Sequence, residues 1–333
     1  MTIAFFGELM LRLSPPGREL LLQTPKLEVN VGGAEANVAT GLACLGHAVR
    51  MVSAVADNPL GASVIGELRR RGVDTSSVAV EPGRLGLYFL TPGAGLRASE
   101  VVYDRAHSVF ADRAAERWDW DAALNGVTRL HLSGITPALG PNTAAAAIAA
   151  AEVAAARDIP VSFDGNYRAK LWEAWDSDPR GVLTQLIGHA DILFGNHRDI
   201  SLLLGRDFSG EGSDRRREAA EAAFAAFPKL GMIASTARHV VDADSHRIAA
   251  RIDTREGAHQ TDEILVAGIV DRIGAGDAFA AGVLHGLLQG GDSRAAAKAG
   301  LALTCLKHSL PGDASLFTRA DLAAFGEGLD VRR

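Results

Sequence analysis

From about residue 125 onward, short β-branched or apolar runs alternate with stretches whose apolar positions recur at helical spacing. Residues 129–133, 160–163 and 192–194 read as strands, and helices are predicted from Asn142, over about 179–189 and from near His197. That alternation predicts βαβ units and a mostly parallel sheet with helices on both faces. The first hundred residues carry the same rhythm: strand 3–6, helix 34–45, strand 48–55, helix 60–71. Two stretches break it. Residues 8–13 with 23–31, and 85–91 with 100–105, read as extended pieces joined by Pro/Gly turns, with no helix between them. Four strands without crossover helices predict a small β-sheet lid projecting from the main α/β core, inserted at about 8–31 and 85–106 of one 1–333 domain.

Composition narrows the partners. With 47% hydrophobic and 22% charged residues in 333, the chain is an ordinary globular sequence able to bury a large core, not a disordered one. Its formal charge of -6 and lack of a basic run argue against nucleic acid and for small molecules. No run of about 18 apolar residues suggests a membrane span. The Ala-rich stretch 143–157 is short and interrupted by Glu152, so a packed helix is expected there. The N-terminus lacks signal-peptide features, and Cys44 and Cys305 have no metal-type spacing, so a protein of the reducing cytoplasm is expected.

The chemistry concentrates in Asp271-Arg272-Ile273-Gly274-Ala275-Gly276-Asp277, which follows a strand predicted to end near Val270 and opens an apolar helix starting at about Gly276. The two glycines allow a tight turn and close approach to a ligand, and free N–H groups at the helix start form an anion site. Asp277, in the first turn, would repel a bound phosphate unless it faces the other reactant. So placed, it can take the proton of an attacking hydroxyl while the amides of Gly274, Ala275 and Gly276 stabilise the transferred phosphoryl group. The plain alternative is an Asp that only stabilises a helix start. Other phosphoryl-transfer signatures fail: no lysine follows a glycine as a Walker loop requires, and His197-Arg198-Asp199 and Asp207-Phe208-Ser209 imitate protein-kinase triplets without their spacing.

A second glycine pair, in Asn30-Val31-Gly32-Gly33-Ala34-Glu35-Ala36-Asn37, precedes the first long helix. With the 271–277 segment about 240 residues later, it makes the chain resemble the ribokinase-like (PfkB) carbohydrate kinases over essentially its whole length. Within them it is most similar to the 2-keto-3-deoxygluconate kinases, through Gly86-Leu87-Tyr88, Val102-Tyr103-Asp104-Arg105, Leu132 to Ala138 and Asp164 to Trp172. The resemblance implies a ribokinase-like three-layer fold and ATP-dependent phosphorylation of the terminal (C6) hydroxyl of 2-keto-3-deoxygluconate, with Asp277 as base. It implies a sugar site of Gly32, Gly33, Asn37, Tyr88, Tyr103, Arg105, Ile135 and Arg168, with the two arginines on the carboxylate. It implies a nucleotide site of Asn196, Ser235, Thr236, Arg238, Gly274, Gly276 and His308, and Mg²⁺ held through water by Asn196 and Asp199. A monovalent cation near 307–313 and a homodimer formed through apolar lid residues such as Leu85, Leu87 and Phe89 are further expectations.

Two departures from the family stand out. Asn196-His197-Arg198-Asp199 has Asp where relatives show Asn-x-x-Glu, and 234–239 lacks the glycine of the turn expected after a strand beside the phosphates. The rival readings are a kinase of another sugar (fructose, ribose, a nucleoside or an epimeric keto-deoxy acid) and a non-catalytic regulator that binds sugar acid or nucleotide.

Overall fold

The computed structural model describes residues 1–327. Its strands are β1 (Thr2–Phe6), β2 (Met10–Ser14), β3 (Glu28–Gly32), β4 (Ala48–Ala56), β5 (Asp74–Glu81), β6 (Gly86–Thr91), β7 (Glu100–Asp104), β8 (Val127–Ser133), β9 (Val161–Asp164), β10 (Ile192–Phe194), β11 (Met232–Asp242), β12 (Ser245–Thr254), β13 (Ala258–Gln260) and β14 (Ile264–Ala267). Ten of them form one sheet in the order β13-β12-β11-β10-β9-β8-β1-β4-β5, with β14 also on β12. From β11 to β5 every neighbour pair is parallel, and β12 turns antiparallel against β11. The inner strands are buried along almost their whole length, as strands covered by helices on both faces must be.

This connectivity places the site. In a parallel sheet the chain leaves each strand at the same edge, and ligands bind beyond those carboxyl ends. Glu8 follows β1, Ile135 follows β8, Asp164 ends β9, and Asn196 and Asp199 follow β10. The helix Ala34–Cys44 packs on the helix Ala275–Leu288, where Gly41 lies so near Ala281 that an added Cβ would stand 3.1 Å from the alanine methyl. Small residues thus let two helices from opposite ends of the chain come close.

The lid forms as predicted, a four-stranded sheet in the order β3-β2-β6-β7. Its register puts Asn30, Arg12, Tyr88 and Tyr103 in one row and Val29, Leu13, Phe89 and Val102 in the next, so the two rows face opposite ways. The inner face buries Met10, Tyr88 and Leu90 against Ile273. On the outer row Val29 and Val102 are exposed; Leu85, expected on that surface, is instead buried in the main core.

Two predicted boundaries moved. The strand expected to end near Val270 stops at Ala267. The turn expected within 234–239 does not exist, because β11 runs straight on to Asp242 and pairs with β12 throughout, apart from a shift between Val240 and Asp242. Without glycine in 234–239, and with Val240 and Val241 beyond, that stretch suits extended backbone.

Candidate active site

Gly274 begins the helix Ala275–Leu288 in a left-handed conformation, φ 74°, and no side chain caps it. A Cβ there would run into the carbonyl oxygen of Asp313, so both the turn and the crowding require glycine. Of the first-turn N–H groups, that of Ala275 reaches the Arg272 carbonyl at 3.3 Å, whereas that of Gly276 is left to a ligand. Gly276 is exposed, with open space where a Cβ would stand, and Ala275 and Gly276 line a cavity of about 830 Å³. Successive helical residues point about 100° apart, and Asp277 is not among the residues lining that cavity; its Oδ2 accepts a 2.7 Å hydrogen bond from Asn37 Nδ2. The carboxylate and the amide nest therefore share one helical turn but serve different sides of it.

The cavity gathers the predicted nucleotide residues: Asn196, Ser235, Thr236, Arg238 and His308 line it, together with Asp199 and Arg168. Arg198, Arg216 and Arg238 add positive charge on its walls. Arg272 lies close enough to Arg238 to oppose its charge, behind the larger effect of burial, which also lowers its pKa. His308 is buried, with Nδ1 2.7 Å from the Thr304 carbonyl and Nε2 without a partner. Asn196 and Asp199 form a capping box: Asn196 Oδ1 accepts from Arg198 N at 2.9 Å, and Asp199 Oδ2 accepts from Asn196 N at 2.8 Å. Among the described residues, no group of three or more His, Cys, Asp or Glu side chains is arranged to hold a bare metal ion.

Asp164, part of a family-like motif but given no role by sequence, joins Asp199 and Asp277 around this site. Burial pushes Asp164 up to about 7, reinforced by the like charges of Asp277 and Asp199. Burial likewise pushes Asp277 up to about 7; the Asn37 hydrogen bond opposes the rise and the nearby Asp313 adds to it. Arg168 lowers both values from an exposed position and donates to the Tyr167 carbonyl. Among the described residues it has no ion pair that would make it merely structural.

The residues expected to bind the sugar have their polar atoms more committed than expected. Arg105 is neither solvated nor fully free: it is buried and paired with Glu8, which also accepts from Ser108 Oγ at 2.5 Å. One Arg105 nitrogen, Nη1, is buried without a partner, and the guanidinium lies 5.7 Å from the Tyr103 ring centroid. Tyr88, expected to offer its hydroxyl to the sugar, donates it to Asp313, and its ring lies 6.0 Å from that of Tyr103. Arg12 joins Asp313 (3.0 Å) and Asp271 (2.7 Å). The Ile135 N–H points to Ser133 Oγ at 3.4 Å. Gly33 caps the Ala34–Cys44 helix at φ 139°, against the Glu8 carbonyl, and Gly32 leaves room for Asp313.

Sequence reasoning missed two buried groups. Glu35 accepts from Thr136 Oγ1 at 2.6 Å, and burial raises its pKa to about 8. Lys307 is fully buried, with Nζ 3.1 Å from the Leu310 carbonyl and 3.4 Å from that of Asp271, in the region where a monovalent cation was expected.

Residues 2–318 match the sequence model of the pfkB family carbohydrate kinases. The chain is 31% identical to a 2-dehydro-3-deoxygalactonokinase of Haloferax volcanii, covering 98% of this chain and 96% of the relative. It is 29% identical to a 2-dehydro-3-deoxygluconokinase of Bacillus subtilis, covering 96% and 94%. A solved 2-dehydro-3-deoxygluconokinase of Thermotoga maritima superposes with a TM-score of 0.92 at 37% identity, covering 98% of this chain and all of that one.

Proposed function

This chain belongs to the pfkB family of carbohydrate kinases, and from that premise we propose that it transfers the γ-phosphoryl group of ATP to the terminal C6 hydroxyl of 2-keto-3-deoxygluconate, the 2-dehydro-3-deoxy acid. One observation carries the reading: Asp277, held by Asn37 at 2.7 Å, stands in the first turn of a helix whose uncapped, glycine-opened start, two residues earlier, lines the large cationic cavity. An alcohol on the Asn37 side and a phosphate on the nest side would meet at that turn.

The sugar acid binds under the inner face of the lid. Arg168 and the unpartnered Nη1 of Arg105 receive its carboxylate, since guanidinium matches a carboxylate in geometry and charge. Tyr103 covers the carbon chain, and Tyr88, its hydroxyl already used, contributes its ring. Gly32, Gly33, Asn37 and the backbone near Ile135 hold the remaining hydroxyls. ATP occupies the cavity with its phosphates among Ser235, Thr236, Arg238 and the Gly274 to Gly276 amides, and with His308 beside the nucleotide. Asn196 and Asp199, with Asp199 Oδ2 already engaged in the capping box, would hold Mg²⁺ through water rather than directly, and the ion would supply charge neutralisation for the phosphates. Asp277 accepts the proton as the hydroxyl oxygen attacks, and the amides stabilise the phosphoryl oxygens. The lid excludes water that would otherwise take the phosphoryl group. A second subunit would cover the outer lid row of Val29, Leu13, Phe89 and Val102, as a homodimer requires.

The Haloferax relative's own substrate class favours one second reading, the C4-epimeric 2-keto-3-deoxygalactonate as substrate. ADP release measured with both epimers, gluconate, fructose, ribose and nucleosides tests both. The proposal requires the highest kcat/KM for 2-keto-3-deoxygluconate; preference for its epimer selects the second reading, and preference for a neutral sugar overturns both. Absence of ADP release with every compound would favour the non-catalytic regulator.

A further inference from the structure

The β11–β12 hairpin joins parts of the molecule that the proposed chemistry leaves separate. Near its base, Ser235, Thr236 and Arg238 line the cavity. From Thr236 the strand continues six residues to Asp242, about 20 Å at the usual rise, and turns at Ala243 and Asp244 against the lid. There Asp244 Oδ2 accepts from Arg18 Nη1 at 2.8 Å and from Gly95 N at 3.2 Å, and Ala243 N donates to the Gly95 carbonyl at 2.9 Å. Arg18 belongs to the loop between β2 and β3, and Gly95 to the loop between β6 and β7; Arg97 donates to the Arg18 carbonyl and binds the two loops together. The Asp244 carbonyl also accepts from Ile269 N at 3.0 Å. Ile269 is two residues before Asp271, where the approach to the nest begins.

One residue therefore touches both lid loops through its side chain, the segment leading to the nest through its carbonyl, and the cavity wall through its hairpin. We propose that Asp244 is a positioning residue that couples the two substrate sites: a nucleotide that orders β11 fixes the hairpin tip, and the tip holds the lid closed over the sugar acid. The inference rests on the reading that the cavity takes ATP and the lid covers the sugar. It also gives the glycine-free 234–239 stretch a purpose, because a turn there would stop the strand short of the lid. An exposed ion pair alone is weak, and the added Gly95 N–H and the two backbone bonds give this contact a defined geometry.

The test measures 2-keto-3-deoxygluconate affinity by calorimetry with and without a non-hydrolysable ATP analogue and Mg²⁺, for the wild type, Asp244→Ala and Arg18→Ala. The main-chain bonds of Ala243 and Ile269 remain in all three, and thermal melts confirm folding. In the wild type the analogue should tighten sugar-acid binding by roughly fivefold to tenfold, within the range of ordinary site coupling, and high salt should reduce that gain. In both variants affinity without nucleotide should stay as in the wild type, and the gain should vanish. No coupling in the wild type, coupling retained in Asp244→Ala, or an equal loss of affinity with and without nucleotide each overturns the proposal. Wild-type turnover, measured first, separates the cases: an enzyme inactive on every sugar acid removes the functional reading, whereas an active one without this coupling removes only the latch.

Discussion

Replacing Asn37 by alanine should move the acid limb of the pH–rate profile without removing the chemistry. Asp277 must be ionised to take a proton, and burial places its pKa at about 7, so kcat/KM should rise with pH and level off above that value. The 2.7 Å bond from Asn37 favours the charged form. A hydrogen bond to a charged group contributes about 1.5–3 kcal/mol, equivalent to about 1–2 pH units; the bond between Asn37 and Asp277 keeps some exposure to solvent, so the lower figure applies. With the limb moved from about 7 to about 8, the variant should lose roughly eightfold at pH 6.5 and almost nothing at pH 9. Any hydrogen bond that the same side chain makes to the sugar, once removed, lowers the whole curve but leaves the limb in place. Initial rates from pH 5.5 to 9.5 at low sugar concentration give the comparison. A limb at the same pH in both proteins would refute the assignment of that ionisation to Asp277.

Asp277→Asn should stabilise the fold at high pH. The native carboxyl titrates near 7 against an ordinary value of 3.8, so its ionisation weakens the folded state increasingly from pH 4 through 7 and fully above that. A melting temperature higher by roughly 2–4 °C at pH 8 and unchanged at pH 4 is expected; equal melting curves at both would contradict it. The two arginines should separate by assay. Arg168→Ala should leave stability within about 0.5 kcal/mol yet raise KM for the sugar acid by roughly tenfold. Arg105→Ala strands the buried Glu8 and should cost about 3–5 kcal/mol in denaturant melts. Turnover should not depend on added potassium, because the Lys307 ammonium already occupies the Asp271 and Leu310 carbonyls; strong activation by potassium over tetramethylammonium would contradict this.

The framework and the reacting turn are readable along the chain because their signals are local. Alternating strand and helix patterns mark the parallel sheet, and the glycines at 32–33 and 274–276 mark positions where backbone must turn or approach closely. What escapes depends on partners far apart in sequence. Tyr88 reads as a ligand hydroxyl along the chain, but the fold brings Asp313, 225 residues away, to accept from it. Arg105 reads as free because Glu8 lies 97 residues earlier. Asp199 reads as a group that holds Mg²⁺ through water, and the same Asn-x-x-Asp spacing also makes the capping box that forms through its Oδ2. The missing turn at 234–239 is an expectation of the family pattern, whereas the residues themselves suit a strand. Glu35 and Lys307 stand in apolar helical stretches and inside segments the resemblance uses, yet nothing along the chain shows the partners that bury them: Thr136 for Glu35 and the Asp271 carbonyl for Lys307.

The central claim is that Asp277 removes the proton while the neighbouring amides hold the phosphoryl group. Steady-state turnover of Asp277→Asn with saturating 2-keto-3-deoxygluconate and ATP tests it most directly. The account predicts kcat lower by about 10²–10⁴, with KM for both substrates unchanged. Turnover close to that of the unaltered protein would contradict it.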